Sequence, residues 1–143
     1  MQTFLTFMLD NERFAVPVAN VLEVLQKQEI TPVPKTKSHI LGIINFRGDI
    51  VPVFDTRQKF NLSANSIENA RIVIVYEITK NDEKIIISAV ADSVKDVIGI
   101  RPEEIIPVPE SGFDYDRQFI SGCIKRNETY ILILDINNVF FTN

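Results

Sequence analysis

Short apolar runs separated by polar turn residues dominate the chain. Pairs of such runs around residues that favour tight turns are typical of β-hairpins. Gly48 and Asn127 are the turn residues that most readily adopt a positive φ. Many short strands at regular spacing predict a β-barrel or a β-sandwich. The four predicted hairpins have arms at residues 4–9 and 13–17, 43–46 and 50–54, 72–76 and 85–90, and 124 and 130–134.

Helical patterns are few and short. Residues 18–25 carry apolar side chains at the i, i+3, i+4 and i+7 positions, which predicts about two turns of helix. Asp55 and Asp135 each follow a predicted strand, and we expect both to cap brief helices by accepting hydrogen bonds from their free N–H groups.

An internal repeat is the most informative feature of the sequence. Similar segments recur in the same order, which indicates a duplication in which each half holds about five short strands. Several strands, such as residues 72–75 and 131–134, are apolar on consecutive positions, so both faces are expected to be covered. Two small barrels that share a hydrophobic interface satisfy this expectation. The repeated segments pair residues 21–25 with 94–98, 30–34 with 105–109, 40–44 with 120–124, 50–55 with 130–135, and Phe60 with Phe140.

Composition narrows the class of function. The chain has 143 residues, 45% of them hydrophobic, and a net charge of −4, so a globular unit is expected and nucleic-acid binding is disfavoured. A single cysteine, Cys123, excludes an intrachain disulfide. Neither a membrane-spanning run nor a signal peptide is evident, so the cytoplasm is the expected location and no membrane insertion is predicted.

The sequence offers little support for catalysis or for a cofactor. His39 and Cys123 lack a third group that would orient them as a nucleophilic pair. No cluster has metal-ligand spacing, and the five glycines are dispersed rather than gathered in a phosphate-binding loop. Carboxylates gather between residues 103 and 116, where a solvated linker is a better interpretation than an acid–base pair. We therefore predict no catalytic, cofactor or metal site.

Arg47 is the residue that the fold itself does not explain. It lies at a predicted hairpin tip, and the second half of the repeat has Asn127 at the same place. Arginine is common at the centres of interfaces because its guanidinium presents five donors in a rigid fork. A solvated turn arginine, or a local pair with Asp49, explains the residue equally well.

Residues 40–57 resemble the defining motif of the chemotaxis coupling protein family, the CheW-like domain. In this motif an apolar-glycine-apolar step at Gly42 precedes Asn45-Phe46-Arg47-Gly48, apolar residues, Pro52-Val53 and Asp55. The resemblance covers essentially the whole chain. Phe46 in place of the usual leucine, and Ser88 and Ala91 in place of a glycine and a valine, depart from the family pattern.

The resemblance implies a mainly β fold, with two pseudo-symmetric five-stranded SH3-like barrels, intertwined in one domain over residues 1–143, on a shared core with short helices. It implies a non-enzymatic adaptor that binds the cytoplasmic tip of a chemoreceptor and the regulatory domain of the chemotaxis histidine kinase. Arg47 and Glu23 are then expected to bind partners. The remaining residues expected at that site are Val21, Val24, Asn45, Gly42 and Gly48.

Two alternatives to this function stay open at the level of sequence. The same fold could serve another receptor–kinase array, in motility, pili or biofilm control, or could belong to a larger signalling protein. A small β-barrel enzyme or oligonucleotide-binding protein is the other alternative, although Tyr76, Tyr115 and Tyr130 lack the basic neighbours that base stacking favours.

Overall fold

The computed structural model describes residues 1–34, 39–60, 72–108 and 116–141. These residues form ten strands and two short α-helices, α1 (Thr56–Lys59) and α2 (Ile136–Phe141). The strands make two five-stranded sheets, which confirms the predicted mainly β fold. Their bounds are β1 Gln2–Leu9, β2 Glu12–Pro17, β3 Val21–Gln26, β4 Ile40–Phe46, β5 Asp49–Phe54, β6 Ile72–Lys80, β7 Glu83–Ala91, β8 Ser93–Ile100, β9 Ile120–Arg126 and β10 Thr129–Leu134.

All four predicted hairpins form, each around a two-residue turn. Both turn residues have positive φ, which is the geometry whose twist matches that of paired strands. Arg47 (φ 52°) and Gly48 (φ 87°) join β4 to β5, so the positive φ predicted for Gly48 is confirmed. Asn127 (φ 50°), between β9 and β10, also has the positive φ that was predicted for it. Arg47 itself was not predicted to adopt this conformation. The other two turns are Asp10-Asn11 and Asn81-Asp82.

The two sheets exchange strands between the halves of the repeat. Sheet A has the order β8-β1-β2-β10-β9, and sheet B has the order β3-β6-β7-β5-β4. The first hairpin of each half, β1–β2 or β6–β7, therefore lies in a sheet whose other three strands come from the other half. In each sheet one strand of the exchanged hairpin makes a parallel pair, β2 with β10 and β7 with β5, and the other makes an antiparallel pair, β1 with β8 and β6 with β3.

Three apolar clusters account for the stability of this arrangement. One cluster lies inside sheet B and joins its two edge strands through Leu25 and Ile44, so that sheet curls around its own interior. A second lies inside sheet A and includes Ile98 and Ile124 from its edges. The third and largest contains residues of both sheets and is the predicted shared interface; we call it the seam.

The short helices of each half pack across the seam. Phe60, which follows α1, lies with its ring centroid 5.1 Å from that of Phe14 in sheet A. Phe140 of α2 lies 5.7 Å from Tyr76 in sheet B. These two phenylalanines occupy equivalent places in the repeat, as the sequence predicts. Burial at the seam raises the pKa of the Tyr76 phenol, because the phenolate would lose its hydration there.

The prediction of a helix over residues 18–25 is wrong. A single 3-10 turn, Val18–Asn20, leads directly into β3, which pairs antiparallel with β6. β-branched residues fit a pleated strand well, and the pairing with β6 outweighs a two-turn helical pattern. The predicted caps are confirmed, since Asp55 accepts from the backbone N–H of Arg57 and Asp135 from that of Asn138. Half of the acidic segment, residues 109–115, and with it Pro109 and Tyr115, lies outside the described residues.

Gly42 and Gly122 occupy equivalent places, and a backbone segment crosses close to each. A Cβ on Gly42 would lie 2.2 Å from the carbonyl oxygen of Thr31, whereas one on Gly122 would lie 2.6 Å from the Cγ2 of Ile105 and 3.3 Å from the backbone oxygen of Ile106. A side-chain methyl can move aside more easily than a paired backbone carbonyl, and Thr31 is paired with Ile43.

We expect Gly42→Ala to lower the free energy of unfolding by about 2 kcal/mol, because the added methyl overpacks against fixed backbone. Gly122→Ala is the matched control and should cost less. Urea denaturation of both variants measures the difference. Equal losses in the two variants would contradict the expected role of the Thr31 carbonyl.

Candidate partner-binding site

The turn between β4 and β5 reaches across to the edge strand β3. A guanidinium nitrogen of Arg47 (Nη2) lies 3.1 Å from Oε1 of Glu23, and the two side chains are 63% and 41% exposed to solvent. The Arg47 guanidinium carbon also lies 4.7 Å from the ring centroid of Phe46. The ion pair and the ring together hold the guanidinium in one place while leaving it accessible. The structure thus brings together the two residues expected to be most important for binding.

Asn45 and Gly48 shape the turn that presents Arg47. The side-chain oxygen of Asn45 accepts a hydrogen bond of 3.1 Å from the backbone N–H of Gly48. Asn and Gly are favoured in such turns because a side-chain acceptor can close the turn and glycine takes a positive φ without strain. Both residues therefore support the site by fixing the backbone of Arg47, and both are exposed.

The other expected site residues differ in their access to solvent. Val24 follows Glu23 on β3 and is 37% exposed, and because successive side chains on a strand alternate, it lies on the opposite face of β3 from Glu23. Val21 is partly buried against the seam. Gly42 is buried under Thr31, so it can influence binding through the shape of β4.

Ile50 belongs to the same surface and was missed by the sequence analysis. It is 65% exposed and lies directly opposite Asn45 in the β4–β5 pair. Residues 50–54 were predicted as a hairpin arm, without a prediction of which side chains face outward. Strand alternation was the available signal, because Val51 points into the core and its neighbour must then point outward.

At the equivalent edge of sheet A, the acidic residue is bound by side chains of the neighbouring strands. Asp96 on β8 corresponds to Glu23, and its carboxylate accepts hydrogen bonds from the Thr6 hydroxyl and from Arg13, whose Nη2 lies 2.6 Å from Oδ1. These two hydrogen bonds lower the pKa of Asp96 below its usual value. The two edges are thus equivalent in fold but different in chemistry, with an exposed turn arginine at one edge alone.

Asp55 has a second role that the sequence did not indicate. Besides capping α1, its carboxylate accepts from Nε and Nη2 of Arg57, at 2.9 and 3.0 Å. Both side chains are 2% exposed, and Asp92 lies 3.9 Å from Nη1 on the other side of the guanidinium. The hydrogen bond to Asp55 is the main reason why the pKa of Arg57 is raised. Because this pair is buried at the end of sheet B, it is not available to a partner.

Side chains that could carry catalysis are not arranged for it in the described parts of the chain. His39 packs with its ring centroid 5.6 Å from that of Phe54. Cys123 is buried, and burial raises the pKa of its thiol, so the reactive thiolate is disfavoured. Residues 1–34, 39–60, 72–108 and 116–141 contain no group of three potential metal ligands. The same ranges contain no helix long and apolar enough to cross a membrane.

The fold and the site define a class of protein that works through its outer surface, with two interlocked β-barrels and an exposed, positioned arginine. The chain belongs to the CheW-like domain family, whose model matches residues 3–141. This match confirms the family resemblance found in the sequence.

Proteins similar in sequence and in structure are chemotaxis and scaffolding proteins. The chain is 30% identical over 138 residues to the chemotaxis protein CheW of Klebsiella aerogenes, covering 96% of this chain and 81% of the relative. It is 31% identical over 137 residues to CheW of Helicobacter pylori, covering 95% and 79%. The crystal structure of the scaffolding protein TtCheW from Thermoanaerobacter tengcongensis superposes with a TM-score of 0.85 at 30% identity, covering 99% of this chain and 94% of that one. The prediction of a non-enzymatic chemotaxis adaptor is confirmed by these relatives.

We expect Thr6→Val to raise the pKa of Asp96, because the hydroxyl makes the largest contribution to lowering it. The folded-state pKa is depressed, so this stabilisation is present above the unfolded-state pKa and is lost as pH falls through the folded-state pKa. The variant should therefore be less stable at neutral pH, by at most about 1 kcal/mol because the Asp96 side chain is 52% exposed and solvent screens its charge, and the difference should shrink in acid. NMR titration of the Asp96 carboxyl carbon measures the pKa.

Thr129→Val is the matched control, since the Thr129 hydroxyl donates to the backbone oxygen of Arg126 in an exposed turn. It should leave the titration of Asp96 unchanged. An Asp96 titration that is the same in the wild type and in Thr6→Val would contradict the assignment.

Proposed function

We propose that this chain is a cytoplasmic adaptor that couples the cytoplasmic tip of a chemoreceptor to the regulatory domain of a chemotaxis histidine kinase. The observation that carries the proposal is the exposed Arg47–Glu23 pair, held over Phe46 at the tip of a rigid hairpin. An exposed charged pair that is fixed in position suits recognition more than it suits stability, since such pairs contribute little to folding.

The receptor contact would use the surface around the Arg47–Glu23 pair, with the exposed side chains of Val24 on β3 and Ile50 on β5 at its margins. A receptor tip is a bundle of helices, and its side would present apolar ridges flanked by polar residues. Val24 and Ile50 provide exposed apolar contacts, at 37% and 65%. One N–H of Arg47 donates to Glu23, which leaves its four other N–H groups for a partner. The charges would then set the register of the helices on the apolar surface.

The kinase contact would use a different part of the molecule. The regulatory domain of the kinase is expected to be a related double barrel, which would dock end-on against one of these barrels. Because the adaptor has two equivalent barrels, it can offer one end to the kinase while the Arg47 surface binds the receptor. Coupling then requires that the contacts differ between receptor states, and each contact can be modest because arrays are multivalent.

We expect Arg47→Ala to weaken binding to a chemoreceptor cytoplasmic fragment by at least about tenfold, the scale of an interface hot spot. The fold should be intact, because the Arg47 side chain is exposed. Co-sedimentation with receptor assemblies measures binding, and circular dichroism with thermal melting checks the fold.

Arg101→Ala is the matched control, because Arg101 is also exposed and lies outside this surface. Normal receptor binding by a well-folded Arg47→Ala variant would refute the proposed receptor contact. A three-component pull-down with receptor fragment and kinase tests the adaptor function as a whole, and failure of the wild type to bridge the two would refute it.

A further inference from the structure

A polar cavity lies at the end of sheet A, where β10 leads into α2. Its volume is about 290 Å³, close to the lower limit for small-ligand sites. Thr79 and Asn137 in its wall are exposed, so the cavity opens to solvent. It is lined by Pro17, Asn20, Thr79, Leu134, Asp135, Ile136 and Asn137, and none of these described residues is basic.

The same place at the end of sheet B is filled by an arginine of the chain. In the repeat, Asp135 corresponds to Asp55, and Asn137 corresponds to Arg57. The repeat pairs residues 21–25 with 94–98, so the counterpart of Asp92 is Ala19, which has no charge.

The cavity is therefore the counterpart of the buried Arg57 site, with the arginine replaced by a shorter, neutral side chain. In the filled copy the guanidinium lies between the carboxylates of Asp55 and Asp92. In the open copy the carboxylate of Asp135 remains and the second carboxylate is missing. Asn20 also lines the cavity, and because its Nδ2 donates to the backbone oxygen of Glu77, its side-chain oxygen is a neutral acceptor there.

The capping role of Asp135 does not prevent it from binding a cation. Asp55 caps α1 through the same oxygen, Oδ1, that accepts from the Nε of Arg57. Asp135 accepts from Asn138 at 3.2 and 3.3 Å, which are longer than the 2.9 and 3.0 Å bonds that Asp55 makes to the guanidinium. A carboxylate has about four acceptor positions, so the carboxylate can cap and bind at once.

We propose that this cavity is a binding site for the guanidinium group of an arginine side chain on a partner protein. The filled copy shows that the fold recognises this group at this place, with both oxygens of one carboxylate. A planar two-donor fork fits that geometry, whereas a lysine ammonium does not. Binding should be weak, in the millimolar range, because the open copy has one carboxylate and is exposed to water.

The test is a titration of the full chain with N-acetyl-arginine amide, followed by NMR of the backbone amides. We expect saturable shifts at the cavity residues and none with N-acetyl-citrulline amide, which has the same shape without the charge. Asn137→Arg should abolish the shifts, because its own guanidinium fills the cavity, and should raise the melting temperature. Asp135→Asn keeps a side-chain oxygen that can cap α2 and should abolish the shifts, because it removes the one carboxylate in the described wall of the cavity.

Several outcomes would overturn the proposal. Equal shifts with the citrulline probe would mean that charge is not recognised. Undiminished shifts in Asn137→Arg or in Asp135→Asn would place the binding elsewhere. Free L-arginine binding more than tenfold tighter than the capped amide would indicate a free amino acid rather than a partner's side chain. The probe is a small molecule, so the result does not depend on the receptor contact proposed above.

Discussion

The seam between the two sheets is the interaction on which the rest of the structure depends. Each sheet encloses a small core of its own, but the largest apolar cluster is the one they share. The exchanged hairpins make this cluster inseparable from the strand pairing, because a hairpin that leaves the seam also leaves the sheet that it completes. The outer surfaces, including the Arg47 turn, are therefore presented by a single cooperative body.

The duplication also explains how equivalent places came to do different work. At the edges, Glu23 pairs with an exposed arginine, whereas Asp96 is held by Thr6 and Arg13. At the barrel ends, Arg57 closes one site and Asn137 leaves the other open. One fold thus offers a distinct surface on each side, which a protein that joins two different partners requires.

The hairpins, caps and shared interface could be predicted because each depends on local chemistry or on the repeat. The conformation of residues 18–25 could not, because a two-turn apolar pattern fits a helix and a strand alike and the pairing with β6 decides between them. The exchange of strands depends on long-range pairing and leaves no local sign. At the site, Arg47 and Glu23 were expected to act together from the family resemblance, whereas Ile50 needed the pleat of β5 to show that it faces outward. The Asp55–Arg57 pair was hidden because capping alone accounted for Asp55.

The exchange of hairpins has a consequence for how such a chain could arise. A half-length ancestor would have been unable to complete a sheet alone, since two of the five strands in each sheet come from the other half. Two copies could complete each other as a symmetric homodimer. Fusing the genes would then replace a concentration-dependent association with an intramolecular one, and the two copies would become free to evolve different surfaces.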